Sequence, residues 1–95
     1  MKTLLIDDMR DIKASKVARN YTDGLTALTS EKWDVLYLDH DLASYVDGAE
    51  KTGYDILVFL EEHPEHLPGK IELVTSNPVG RQKMQVVINK LYGGR

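Results

Sequence analysis

Three short runs of apolar residues punctuate an otherwise mixed chain: Thr3–Ile6, Val35–Leu38 and Ile71–Val74. Each is about a strand long, is bounded by polar residues and lacks clean polar alternation, the signature of a strand covered on both faces. Between them lie segments with helical spacing. Leu25, Leu28 and Trp33 recur along Asp23–Lys32, and Ile56, Leu57, Phe59 and Leu60 form one broad stripe along Tyr54–Glu62, stopped by Pro64. The best amphipathic pattern is Met84, Val87, Ile88 and Leu91 along Arg81–Tyr92, at i, i+3, i+4 and i+7, followed by two glycines that make a stop. A poorly patterned helix is expected around Arg10–Lys16. A fourth strand around Val17–Tyr21 is expected mainly because alternation requires one. Tyr45–Thr52 and Glu65–Lys70 read as loops, the first placed to cover whatever precedes it. Strands alternating with helices predict an α/β fold, a three-layer sandwich around a mostly parallel four-stranded sheet.

Ninety-five residues suffice for a single domain, 1–95, with one modest core. The apolar fraction of 42% and charged fraction of 28% are those of an ordinary globular protein, and a net charge of −3 argues against coating duplex DNA. Cysteine is absent, which removes disulfides, thiolate metal ligands and a thiol nucleophile from consideration. No segment reaches membrane-spanning length, and Asp7 and Asp8 interrupt the first apolar run too early for a signal sequence. A cytoplasmic monomer or small homo-oligomer, without membrane partners, is the expectation.

The chemistry lies where the apolar runs end. The first gives way to Asp7, Asp8 and Arg10, the second to Asp39, His40 and Asp41, and the third to Thr75, Ser76, Asn77 and Pro78. In a parallel sheet, ligands bind beyond the carboxyl ends of the strands, so these three groups should converge. Clustered carboxylates raise one another's pKa unless a cation neutralises them, and hard oxygen donors select Mg²⁺, Mn²⁺ or Ca²⁺. His40 has the pKa range of a general acid or base. Thr75 and Ser76 bring hydroxyls, Gly80 and the start of the last helix bring backbone N–H groups for a phosphate, and Arg10 or Arg81 would complete a clamp. Taken singly, Asp7-Asp8 and Thr75–Pro78 are equally good turn and helix-cap signals. His63 and His66, flanking Pro64, read as surface residues. The joint pattern favours a site.

An acidic pair, a central Asp and a later Thr, in that order, resemble the receiver domain of two-component signalling, matched here by Asp7, Asp8, Asp39 and Thr75. A fifth strand with its Lys has no counterpart. The fuller resemblance is to the cyclic-phosphate-processing receiver family, a shortened relative found in bacteria and phages. It is carried by Ile6-Asp7-Asp8-Met9-Arg10, Leu38-Asp39-His40-Asp41-Leu42, Thr52-Gly53-Tyr54-Asp55 and Asn77-Pro78-Val79-Gly80-Arg81. That resemblance implies a truncated receiver-like, flavodoxin-like topology and the processing of cyclic phosphates of nucleotides or RNA ends. It implies Mg²⁺ or Mn²⁺ on Asp7, Asp8 and Asp39, with Asp39, His40 and Asp41 as the catalytic group. Arg10, Thr75, Ser76, Asn77, Gly80 and Arg81 would hold phosphate. Val74 stands where the family commonly has a second histidine. Haloacid-dehalogenase-type phosphatases share Asp-x-Asp and a later hydroxyl, but their second acidic pair comes late, not first. The other reading is a non-catalytic module that captures a phosphorylated ligand or accepts phosphate on Asp39.

Overall fold

A computed structural model describes residues 1–93. Strands β1 (Thr3–Ile6), β2 (Lys16–Ala18), β3 (Val35–Leu38) and β6 (Lys70–Leu73) form one sheet in the order β2-β1-β3-β6, every pair parallel. Helices α1 (Tyr21–Ser30), α2 (Gly53–Glu62) and α3 (Pro78–Gly93) lie in the connections or follow the last strand. The stop expected at the second glycine, Gly94, lies outside the described residues. Among the described residues, no helix is long and apolar enough to cross a membrane.

Register fixes which side chains share a face. Leu4 aligns with Leu36 and Leu36 with Ile71, while Ile6 aligns with Leu38. These residues join Leu28 of α1, Ile56, Leu57 and Leu60 of α2, and Met84 and Ile88 of α3 in one core. Each buried aliphatic side chain contributes about 1.5–3 kcal/mol. All three helices therefore pack on the same face. The opposite face carries Leu5, Val17 and Tyr37, aligned across three strands.

The right-handed rule for parallel crossovers explains the asymmetry. The chain steps from β1 outward to β2, then returns across the sheet to β3 and on to β6. Crossovers running in opposite directions fall on opposite faces, so only the first belongs to the Leu5 side. That connection is residues 7–15, and it forms no helix. A helical crossover needs a dozen or more residues, and this one is shorter. The predicted helix at Arg10–Lys16 is thus corrected to an irregular segment tied back to β1, where Thr3 N–H donates to Ser15 Oγ at 3.0 Å and Ser15 N–H to Thr3 Oγ1 at 2.9 Å. The α/β class and the parallel four-stranded sheet stand as expected. The third layer is this segment in place of a helix.

Other boundaries move for local reasons. The strand expected at Val17–Tyr21 is Lys16–Ala18, because Asn20 caps α1, its Oδ1 accepting the Asp23 N–H at 2.8 Å. Trp33 lies beyond α1, buried, with Nε1 donating to Ala27 O at 2.9 Å. The expected loop at Tyr45–Thr52 is instead a hairpin, β4 (Ser44–Val46) and β5 (Ala49–Lys51), antiparallel. Asp47 and Gly48 both adopt positive φ, the two-residue Asp-Gly turn that suits a twisted ribbon.

Helix α2 begins against the sheet's rim. Thr52 and Asp55 form a capping box, with Thr52 N–H donating to Asp55 Oδ2 at 2.8 Å. Gly53 N–H donates to His40 O at 2.8 Å, and a Cβ on Gly53 would stand 2.0 Å from Asp39 O. Only glycine fits there without moving the helix. Gly53→Ala is accordingly expected to lower the thermal midpoint markedly, by more than about 2 kcal/mol in stability. Calorimetric melting of the variant checks this, and an unchanged midpoint would show that α2 can shift freely.

Candidate functional site

Parallel pairing delivers the acidic residues to one place. Ile6 and Leu38 are register partners, so the residues that follow them, Asp7 and Asp39, leave adjacent strands side by side. Asp39 N–H donates to Ile6 O at 3.0 Å, and Asp7 N–H to Ala18 O at 3.1 Å, holding both just inside the sheet's rim. Asp7 is 1% exposed and Asp39 6%. With the half-buried Asp8 they offer three carboxylate oxygens, all within 4.8 Å of one another. The expected convergence is present.

Short bonds set the charge of each group. Asp7 Oδ1 accepts the N–H groups of Met9 and Arg10, both at 3.0 Å, and its Oδ2 faces Arg10 Nη1 at 3.0 Å. Burial alone would push the Asp7 carboxyl up, but those N–H bonds and the guanidinium outweigh it and hold the pKa below the ordinary 3.8. Asp39 goes the other way. Burial raises it, the negative charge of Asp7 adds to that, and the Thr75 side chain, the His40 N–H at 2.8 Å and Arg10 only partly offset them. One carboxylate is held ionised while its neighbour is uncomfortable charged. With Asp8 they form a group of carboxylates that could hold a metal ion.

Asp7, Asp8, Met9, Arg10, Asp39, Asp41 and Ser76 line an open cavity of about 460 Å³. Thr75 lies buried beneath it, its Oγ1 accepting the Asn77 N–H at 3.1 Å. A separate, more apolar cavity lined by Gly69, Lys70, Ile71, Ile88, Asn89 and Tyr92 holds none of these residues. None of the hairpin residues 44–51 lines the acidic cavity; Ser44 Oγ instead accepts the Tyr21 N–H at 2.9 Å and so docks the hairpin on the start of α1.

The remaining sequence candidates sit to one side, at the start of α3. His40 Nδ1 pairs with Asp41 Oδ1 at 2.9 Å. Its ring lies against Gly80, where a Cβ would come within 2.6 Å of the ring Cγ. Asn77 caps α3, its Oδ1 accepting the Gly80 N–H at 3.0 Å, while its O accepts the Arg81 N–H at 2.9 Å. Those two N–H groups, expected to face a phosphate, already have partners. The Arg81 side chain turns back to Leu73 O at 3.4 Å.

Sequence reasoning missed Arg19. Its Nη1 donates to Arg10 O at 2.7 Å and to Asp7 O at 3.2 Å, while Nη2 pairs with Asp11 at 3.2 Å. One side chain from the end of β2 thereby fixes the loop that carries both Asp7 and Arg10. Only knowledge that β2 lies beside β1 would have pointed to it.

The acidic trio thus stands at the rim of a parallel four-stranded sheet of receiver-like topology. A profile of the cyclic-phosphate processing receiver domain matches residues 2–90, and the chain belongs to that family. No curated protein and no solved structure matches it.

Removing charge at Asp39 should stabilise the metal-free protein. The folded-state pKa of Asp39 lies above its unfolded value, so the fold takes up a proton more readily, and ionisation of Asp39 at neutral pH costs stability. Asp39→Asn is expected to melt a few degrees above the wild type at pH 7 without added metal. That gap should narrow as pH falls toward the folded pKa of Asp39. Asp7 has the opposite sign: its stabilisation is complete above about 3.8 and is lost as pH falls through its lower folded value. Thermal melts of both chains between about pH 2 and 8 check this, and a variant that melts lower throughout would refute the charge argument.

Proposed function

We propose that the chain is a divalent-cation-dependent phosphodiesterase that opens cyclic phosphates of nucleotides or RNA ends. The observation that carries this reading is the convergence of Asp7, Asp8 and Asp39 oxygens within 4.8 Å, in a chain belonging to a cyclic-phosphate processing family. The all-oxygen donor set fits Mg²⁺ or Mn²⁺. Such an ion would polarise a phosphoryl oxygen and offset charge developing in the transition state.

The chain's own residues supply the rest. Asp7 is held ionised by its N–H bonds and is the firmest ligand. Thr75 and the His40 N–H orient Asp39. Arg10 and Ser76 face the same cavity and would bind the phosphate oxygens; a cyclic phosphodiester carries one negative charge, which a cation and a guanidinium balance. Water attacks phosphorus, one ring P–O bond breaks, and the leaving alkoxide takes up a proton. His40 would exchange that proton through Nε2, since Nδ1 is held by Asp41 and the ring is pinned on Gly80. Asn77, Gly80 and Arg81 support this arrangement through the α3 cap rather than by direct donation.

A second reading draws on the position of His40. Its ring is not among the groups lining the acidic cavity, and Val74 stands where the resemblance implies a second histidine. A module that captures a phosphorylated ligand, or accepts phosphate on Asp39, without hydrolysis fits that offset. Incubation with Mg²⁺ or Mn²⁺ and a panel of 2′,3′- and 3′,5′-cyclic phosphates separates the two. Turnover that EDTA abolishes, and that Asp39→Ala lowers more than about 100-fold, is the expected result. Tight stoichiometric binding in calorimetry with the ligand recovered intact would favour capture, and no turnover and no binding across the panel would end both readings.

A further inference from the structure

Resting on the cation site just proposed, we infer that Arg10 is a built-in counter-ion that a divalent cation displaces, and that its displacement frees the guanidinium to bind the anion in the same cavity. Arg10 Nη1 lies 3.0 Å from Asp7 Oδ2 and 3.7 Å from Asp39 Oδ1, bridging two of the three converging carboxylates. Among the described residues, no other side-chain cation forms an ion pair with either. It therefore answers the electrostatic demand that buried, neighbouring carboxylates create. A divalent ion drawing on those same oxygens cannot share them with a guanidinium, since two cations within about 4 Å repel strongly in a partly desolvated setting.

The local structure suits an exchange confined to one side chain. Backbone at residue 10 is held from both sides: its N–H donates to Asp7 Oδ1, and its O accepts from Arg19 Nη1. The side chain itself is 38% exposed and lies along the wall of the acidic cavity. It can leave the carboxylates without disturbing the loop, and the space it swings into also holds Ser76. Cation and anion binding are then coupled through one group. The cation is repelled by Arg10 in its resting position, and the anion benefits once Arg10 has moved; by linkage each effect is reciprocal.

The coupling gives Arg10→Gln an unusual sign. Titrating the full chain with Mn²⁺ alone, followed by calorimetry, Arg10→Gln should bind the ion roughly fivefold or more tightly than the wild type. Arg10→Lys, which keeps the charge, should stay near the wild type. With Mn²⁺ saturating, methyl phosphate should bind Arg10→Gln roughly fivefold or more weakly. Melting curves verify that each variant folds. Equal or weaker Mn²⁺ binding by Arg10→Gln overturns the exchange, even if the wild type opens cyclic phosphates. Absence of Mn²⁺ binding by all three chains overturns the cation site and the exchange with it.

Discussion

Repulsion between two buried carboxylates organises this molecule's functional end. Asp7 and Asp39 follow register partners on adjacent parallel strands, so the pairing that builds the sheet also forces them together. Both side chains are buried, which makes each charge costlier and each compensating bond stronger. The surrounding architecture reads as a set of answers to that problem: Met9 and Arg10 N–H groups on Asp7, the His40 N–H on Asp39, and one guanidinium between them. The two carboxyls end with opposite pKa directions, Asp7 lowered by its bonds and Asp39 raised by burial.

The fold supports this by being lopsided. Three helices crowd one sheet face and anchor the core, while the first crossover, too short for a helix, becomes an irregular segment rich in loop hydrogen bonds. That segment carries Asp8 and Arg10, and Arg19 staples it to the end of β2. Irregular backbone at this position has a chemical consequence. Two backbone N–H groups of this segment, those of Met9 and Arg10, point at Asp7. Two glycines do related work on the other side of β3. Gly53 lets α2 approach the Asp39 carbonyl, and Gly80 lets His40 lie on α3, so the residues after β3 are gripped from both helices.

Asp41 links two neighbourhoods, one the acidic cavity and the other the His40 ring. The cavity is where a cation and a phosphate meet on the proposed reading; the imidazole is adjacent, not inside. That separation is why hydrolysis and capture are both chemically coherent for this constellation. Beside the ring, Asn77 caps α3 and the Arg81 side chain reaches Leu73 O.

Much of this was legible in one dimension. The apolar runs at residues 3, 35 and 71 gave strands within a residue of their places, and the polar groups at their ends gave the acidic trio, because strand periodicity and strand-end chemistry are local properties of a chain. The hairpin at residues 44–51 read as a loop, because its strands are short and mostly polar. What the string of residues could not hold was distance between segments. Arg19 matters because β2 lies beside β1, Arg10 because its side chain reaches across to Asp39, and Gly80 because His40 lands on it. Residue identity and spacing determined which groups would stand at the sheet's rim; only packing in three dimensions decided which of them touch, since electrostatic and steric forces act through space and not along the chain.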